Sequence, residues 1–168
     1  MAQEVQQRLL SEPTEDTLTW AFHKAASEIK RSGIDCRESG STTVSCLRRG
    51  DSLLVANVGD SRCVMGREEG GTLKAKDLSM DHKPERQTEY ERITRSNGFV
   101  EPSRAFGGRY VGPARVWAVK QQVGGLAVSR AIGDTNLNSV GVIPTPEVIK
   151  EQVRCQPAQP PVALRRSL

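Results

Sequence analysis

The stretch Leu-Val-Ala-Asn-Val-Gly-Asp-Ser-Arg, from Leu54 to Arg62, decides the fold because an apolar strand ends there in a Gly-Asp turn. Leu53 to Val58 is almost continuously apolar, which is typical of a strand buried on both faces at the centre of a sheet. The turn places the Asp60 carboxylate at the end of that strand, where it can face a hydrated cation. Gly124 to Asp134, about seventy residues later, has the same layout, Gly-Gly-Leu-Ala-Val-Ser-Arg-Ala-Ile-Gly-Asp.

Helical periodicity precedes this strand. Residues 2–10 predict a short helix, and residues 14–32 predict an amphipathic helix that begins near Thr14 and ends at Gly33. Its apolar side chains recur every three or four residues and would form one face, namely Leu18, Phe22, Ala25 and Ile29.

Short turns and β-branched residues follow from Ser39 onward. They predict four successive strands in an antiparallel meander, over residues 39–47, 52–58, 61–67 and 72–78. A further return to the sheet is expected at Gly125–Ser129, and a last strand at Glu147–Ile149.

A third helix is predicted from Pro84 to about Ser96, because proline is tolerated at the first helical position and Asn97-Gly98 can end a helix. Tyr90 and Ile93 would be its main apolar contacts, and Lys83 and Arg86 would be solvated. Residues 99–124 are rich in glycine and proline and predict a loop with short strands.

The composition fits one modest domain. Apolar residues make up 36% of the 168 residues and aromatic residues only 4%, so the core must rest on Val, Leu, Ile and Ala. The net charge of +4 has three interpretations: a solvated basic surface, attraction to acidic or phosphorylated partners, or nucleic-acid binding. The chain shows no aromatic-rich strand and no basic stripe, so we expect no nucleic acid as partner.

Cysteine usage indicates a reducing compartment. Of the four cysteines, Cys36, Cys46, Cys63 and Cys155, no two form a Cys-x-x-Cys pair, which argues against a zinc site. Cys46 and Cys63 lie in strand-like runs and are expected to be small core residues. With no basic-plus-apolar leader and no apolar run of spanning length, we expect an intracellular protein, cytoplasmic or nuclear, without a membrane segment.

Several polar residues have two possible roles on their residues alone. Asp60 could bind Mg²⁺ or Mn²⁺, which prefer oxygen ligands, or cap its turn and pair with Arg62. Asp134 could orient metal-bound water or hold its loop, or it could cap a turn or helix. Ser129 has no histidine near it in sequence, so nothing supports a Ser-His arrangement. His82 could act as a general acid, but a structural turn is favoured.

In their order along the chain, these segments resemble the PPM family, the metal-dependent type 2C protein serine/threonine phosphatases. The resemblance rests on Leu54–Arg62, Asp-His-Lys-Pro at Asp81–Pro84, the helix with Glu91-Arg92-Ile93, and Gly124–Asp134, and covers roughly residues 36–150. Ser39–Thr42 is similar to the family's Ser-Gly-Thr/Ser-Thr strand start. The implied fold is α+β: a sandwich of two antiparallel sheets flanked by helices, with metals at one end.

The resemblance also implies chemistry. The family hydrolyses phosphoserine and phosphothreonine on proteins with metal-activated water, which implies Mg²⁺ or Mn²⁺ as cofactor and a phosphorylated protein as partner. It implies that Asp60 is a ligand of an additional metal beside the binuclear centre and that Arg62 is a structural partner. Asp134 stays a candidate for supporting that centre on its residue type and position alone, and we assign Ser129 and Arg130 to the structural part of the motif.

The stretch from Phe106 to Trp117 matches the position of the family's flap, within the loop at about 99–124. Arg109, Arg115 and Trp117 could present two cations and an aromatic face to a phosphopeptide. The alternative is a surface loop that Trp117 pins in place.

The outer parts of the family domain find no match. Nothing in residues 1–35 resembles its phosphate-binding Arg, its Glu-Asp pair or its Asp-Gly-His-Gly, and residues 150–168 match neither its Asp-Gly strand end nor its Asp-Asn. We therefore expect a partial domain over residues 1–153 that lacks N- and C-terminal strands, and a disordered tail over 154–168. Such a chain would be a weak or inactive phosphatase alone, or a non-catalytic pseudophosphatase that binds phosphoproteins.

Overall fold

A computed structural model describes residues 2–118 and 125–153, and it is a mixed fold of helices and antiparallel sheet, as predicted. The described helices are α1 (Ala2–Ser11), α2 (Glu15–Arg31), α3 (Gln87–Arg95) and a 3₁₀ helix (Thr135–Val140). The described strands are β1 (Gly40–Ser41), β2 (Thr43–Arg49), β3 (Ser52–Val58), β4 (Val64–Glu69), β5 (Thr72–Asp77), β6 (Gly98–Arg104), β7 (Tyr110–Ala118), β8 (Ile132–Gly133) and β9 (Glu147–Gln152).

The central sheet is antiparallel with strand order β2-β3-β9, which confirms that the strand before Asp60 lies in the middle. Successive side chains of a strand point to opposite faces. Leu54, Ala56 and Val58 face helix α2 and are buried against its Leu18 and Phe22. Val55 and Asn57 face the other side, where Leu78 is also buried.

Helix α2 begins where the sequence predicts, because Thr14 has extended backbone geometry and its Oγ1 accepts a hydrogen bond from the Thr17 N–H at 3.1 Å. This bond satisfies one of the donors that the first helical turn leaves free. Helix α1 also agrees with its predicted range within one residue. Both helix predictions are therefore confirmed.

The predicted four-stranded meander is wrong. Strands β4 and β5 form a separate two-stranded ladder, and β3 pairs with β9 at the edge where the meander would have placed β4. Gly59 causes the departure: its φ of +90° turns the chain out of the sheet, and the Thr42 side chain occupies the space that a Gly59 side chain would need.

Residues 99–124 are predicted as a loop with short strands, and over the described part the strands are longer than expected, with seven residues in β6 and nine in β7. Strands β6 and β7 form a long hairpin, in which glycines supply the tight turn, Gly107 and Gly108, rather than preventing strands. The expected strand at Gly125–Ser129 is reduced to an isolated bridge between Leu126 and Val116. A second core lies beneath this hairpin, formed by Ile93, Val116, Ala131, Leu137, Val140 and Val142.

Helix α3 begins three residues later than predicted, at Gln87, because Pro84 and Glu85 form a turn closed by the bond from Arg86 N–H to the Lys83 carbonyl at 3.0 Å. Ile93 is fully buried, as expected, but Tyr90 is 45% exposed and contributes little to the core.

The predicted tail at 154–168 and the end of the predicted flap loop, residues 119–124, lie outside the described residues. None of the helices in the described ranges is both long and apolar enough to cross a membrane.

Candidate functional site

Asp60 lies at the turn after β3, and its carboxylate is hydrogen-bonded to the Lys83 ammonium, with each side chain about one third exposed. The alternative pairing of Asp60 with Arg62 is wrong, because Arg62 binds Asp81 through two bonds of 3.1 and 3.0 Å. The expectation that Lys83 is solvated is also wrong, because its ammonium is bonded to Asp60. Asp60 is thus accessible, with one neutralising cation beside it.

The Arg62–Asp81 pair connects the segment after Asp60 to the segment before α3. The hydrogen bonds from Arg62 hold the pKa of the Asp81 carboxyl below its usual range. Arg62 is 56% exposed, so solvent screens the pair, and its role is to fix geometry rather than to add much stability.

His82 fixes the turn that carries Asp60 through hydrogen bonds to Gly59. The ring Nδ1 of His82 accepts a hydrogen bond from the Gly59 N–H at 3.1 Å. The backbone N–H of His82 donates to the Gly59 carbonyl at 3.0 Å. Because Nδ1 accepts, the ring proton lies on Nε2, which is 3.4 Å from Glu147 Oε2. Burial, with the Arg130 charge, lowers the pKa of His82. A neutral, fully buried imidazole fits the structural turn favoured by the sequence.

Glu89 is the centre of a buried ionic network that the sequence analysis missed. This fully buried carboxylate receives two bonds from Arg130, at 2.7 and 3.0 Å, one from Arg92 at 2.7 Å, and lies 2.6 Å from Ser129 Oγ. Burial alone would raise the pKa of Glu89, but the bonds from Arg130, Arg92 and Ser129 outweigh it and hold the pKa well below its ordinary value.

Ser129 and Arg130 are both committed to this network. Ser129 is fully buried, and its hydroxyl lies within hydrogen-bonding distance of Glu89 and of the His82 carbonyl, at 3.0 Å. Arg130 also donates to the Thr145 carbonyl at 2.8 Å. Both side chains are therefore buried and engaged in this network rather than presented to a substrate.

Glu147, at the start of β9, joins the edge of the sheet to the same network. Arg86 donates to it at 2.8 Å, so the expectation that Arg86 is solvated is wrong. Burial would raise the pKa of Glu147, and the Arg86 bond lowers it below the ordinary value.

Asp134 lies at the end of the second glycine-aspartate segment, in the left-handed region with φ of +47°. Its carboxylate lies against Gly40, in space that a side chain there would occupy, and its N–H donates to the Ser39 carbonyl at 2.9 Å. Within the described ranges the carboxylate has no hydrogen-bond or ion-pair partner, and it does not cap the 3₁₀ helix. Burial raises its pKa.

The three flap residues are used differently. Arg115 Nη1 donates to the Gly125 carbonyl at 2.8 Å, and Trp117 Nε1 donates to the Glu101 carbonyl at 2.9 Å, so both hold the hairpin together. Arg109 alone of the three lies at the hairpin turn with an exposed side chain. Phe106, in the same turn, is fully exposed.

A cleft of about 760 Å³ lies on the sheet face opposite α2, lined in part by Asn57, Arg62, Met80, Arg86 and Glu147. Its two guanidinium groups are both paired, Arg62 with Asp81 and Arg86 with Glu147. A phosphate entering the cleft would therefore meet guanidinium groups whose charge a carboxylate already neutralises.

The metal ligands present do not form a complete metal centre. Among residues 2–118 and 125–153, no three His, Cys, Asp or Glu side chains gather closely enough to hold an ion. Asp60 and Asp134 are strand-end carboxylates, but Lys83 already neutralises the first. A two-metal phosphatase site needs carboxylates on both ions. The described residues therefore do not fit that group on their own.

Comparison with known proteins points in one direction. The sequence profile of the family described as Protein phosphatase 2C matches residues 1–157. A probable protein phosphatase 2C of Oryza sativa is 40% identical over 136 residues, which cover 79% of this chain and 34% of the relative. A second probable protein phosphatase 2C, of Arabidopsis thaliana, is 39% identical over 139 residues. These residues cover 79% of this chain and 39% of the length of that relative.

The structure gives the same result. The crystal structure of a serine-threonine phosphatase 2C from Toxoplasma gondii superposes with a TM-score of 0.70 at 26% identity. The match covers 93% of this chain and 51% of that one. The chain thus spans about a third of the length of the two plant relatives and about half of the solved structure.

Proposed function

Because the chain belongs to the protein phosphatase 2C family, we propose that it supplies the central part of a protein serine/threonine phosphatase. The substrate is a protein that carries phosphoserine or phosphothreonine, and the reaction is hydrolysis of the phosphate ester. The observation that carries this proposal is the family match over residues 1–157, which includes both glycine-aspartate segments.

Residues 1–153 form a partial catalytic domain with weak or no activity alone. The incomplete set of acidic ligands supports this part of the proposal. Mg²⁺ or Mn²⁺ is the cofactor, and Asp60 is the ligand that we assign to this chain, since it is an accessible carboxylate at a strand end. The remaining ligands would come from outside the described residues.

Asp134 would support the same site through its position. Its carboxylate, which has no partner among the residues that the structure describes, lies beside the first turn of the 3₁₀ helix, and a cation would stabilise its buried charge. Arg109, at the hairpin turn, would contact the phosphopeptide, whereas Arg115 and Trp117 keep that hairpin rigid.

Phosphate release from a phosphothreonine peptide, with and without Mn²⁺, tests the proposal. The variant is Asp60→Ala, and Asp51→Ala, in the exposed β2–β3 turn, is the matched control. We expect slow Mn²⁺-dependent release, far below that of a full-length plant relative, lost in Asp60→Ala and kept in Asp51→Ala. Release at the relative's rate would overturn the proposal of an incomplete site.

The second candidate function is a non-catalytic module that binds phosphoproteins, and the incomplete ligand set favours it as well. Binding of the phosphothreonine peptide is measured in the same sample, against the unphosphorylated peptide. Selective binding with no detectable release would favour the module. A folded chain that neither binds nor hydrolyses the phosphopeptide would contradict both functions.

A further inference from the structure

We propose that Cys46 and Cys63 are a site of reversible oxidation, at which a peroxide converts two neighbouring thiols into a disulfide that fixes the turn carrying Asp60. Formation of the bond does not depend on the proposed function, whereas its consequence for a metal ligand does. The two can therefore fail separately.

Cys46 lies on the face of the central sheet that α2 does not cover. It is paired with Val55 in the β2–β3 ladder, and directly paired residues of antiparallel strands project from the same face. Leu47 and Leu54, one position along, face α2 instead. The Cys46 side chain is exposed, which corrects the expectation of a core cysteine.

Cys63 is held over that same face by the segment before α3. Its N–H donates to Ser79 Oγ at 2.8 Å, and its carbonyl accepts from the Leu78 N–H at 2.8 Å. This segment is itself bound to the sheet face, since Asn57 Nδ2 donates to the Met80 carbonyl at 3.2 Å. These bonds place Cys63 over the sheet face that carries Cys46, near enough that the Cys46 thiol is one of the groups that raise the pKa of the Cys63 thiol.

The two thiols differ in exposure, and this difference indicates which of them reacts first with peroxide. Burial raises the pKa of the Cys63 thiol, and Cys46 is the more exposed of the pair. The thiolate is the nucleophile, so the Cys46 thiolate attacks hydrogen peroxide, forming an S–O bond as the O–O bond breaks and hydroxide leaves. The Cys63 sulfur then attacks the Cys46 sulfenic acid, forming the S–S bond and releasing water. Two electrons pass from the thiols to the peroxide.

The disulfide would restrict the movement of the backbone next to Asp60. Cys63 follows Asp60 by three residues, and Ser61 between them is hydrogen-bonded through Oγ to Thr42 Oγ1 at 2.8 Å. Thr42 immediately precedes β2, the strand that carries Cys46. A disulfide would thus attach the segment after Asp60 covalently to β2. This bond would add to the Ser61–Thr42 hydrogen bond, which joins the same two parts of the chain.

The test is titration of the purified full chain with hydrogen peroxide, followed by intact mass and by peptide mapping without reductant. Cys46→Ser and Cys63→Ser are the test variants, and Cys36→Ser is the control, because Cys36 is a buried thiol elsewhere in the fold. Circular dichroism of each variant establishes that it is folded.

We expect monomeric wild-type chain to lose two hydrogen atoms, to yield a linked Cys46–Cys63 peptide, and to recover its mass with dithiothreitol. The loss should persist in Cys36→Ser and vanish in both test variants. Oxidation of Cys46 to the sulfinic acid with no linked peptide would overturn the proposal. So would linkage only through Cys36 or Cys155, or only between chains.

Discussion

Glu89 and Arg130 form a two-point salt bridge inside the protein, with Oε1–Nη2 and Oε2–Nε distances of 2.7 and 3.0 Å. Glu89 belongs to α3, and Arg130 follows the second apolar segment along the chain. The pair therefore joins the helix to the segment that ends in Asp134. Arg92 completes the link by binding both Glu89 and the Ser129 carbonyl, the latter at 2.9 Å.

Replacing Glu89 by Gln should destabilise the protein by about 3–5 kcal/mol, because the buried Arg130 charge then keeps only the more distant Glu147 carboxylate, at 3.5 Å. Urea denaturation measures this change. Glu91→Gln is the matched control, since the Glu91–Arg95 pair lies on the exposed face of the same helix and should matter little. Equal effects of the two substitutions would contradict the assignment of Glu89 as the centre of the network.

His82 should make the protein less stable in mild acid. Burial lowers the folded-state pKa of His82 below the unfolded value of about 6.5, so the unfolded chain binds the proton more readily. Its contribution is present above that value and is lost as the pH falls toward the folded pKa. Arg130, Arg86, Glu89 and Glu147 are the charged groups that face the ring.

Urea midpoints between pH 7.5 and 5 test this prediction, compared among wild type, His82→Asn and the exposed-site control His23→Asn. The amide oxygen of Asn can replace the Nδ1 acceptor, so His82→Asn should fold and show a shallower loss of stability in this range. If the dependence of stability on pH changes in His23→Asn and not in His82→Asn, the prediction for His82 is contradicted.

Gly40→Ala should destabilise the β1–β8 pairing, because its Cβ would overlap the Asp134 carboxylate. We expect a loss of about 1–3 kcal/mol, the usual cost of an overpacked site. Thermal unfolding of Gly40→Ala, Asp134→Gly and the double variant gives the coupling between the two positions. If the double variant is as unstable as the sum of the single variants, the two residues do not compete for this space.

Asp134→Asn should raise the melting temperature in metal-free buffer at neutral pH. Burial raises the folded-state pKa of Asp134, so its charged form costs stability once the pH exceeds the unfolded value, and the amide removes that charge. The gain should shrink in acid, where the wild-type carboxyl is protonated. A gain that does not change with pH would show that relief of backbone strain, rather than charge, is responsible.

Local patterns of the sequence predicted the elements that they alone determine. The period of Leu18 and Phe22 located α2, and the apolar run before Asp60 located the central strand. The partner of that strand on its second edge, β9, begins about ninety residues later, and no local pattern encodes such a pairing. The glycine turn of the β6–β7 hairpin was misinterpreted because glycine and proline also mark loops.

Glu89 was missed because it resembles the other charged residues of a surface helix. One signal was present in the sequence: Glu89 precedes Ile93 by four residues, so both lie on the same helix face. A carboxylate on the face that carries the buried isoleucine destabilises the protein unless a cation pairs with it, and here Arg130 does so. Lys83 and Arg86 were misjudged for the related reason that their carboxylate partners, Asp60 and Glu147, are distant in sequence.

Calorimetric titration of the purified chain with Mn²⁺ tests most directly whether residues 1–168 lack a complete metal centre. We expect at most one weak Mn²⁺ per chain, with the heat lost in Asp60→Ala and kept in Asp51→Ala. Two ions bound per chain with micromolar affinity would contradict the incomplete site, and would show that the chain gathers its own set of ligands.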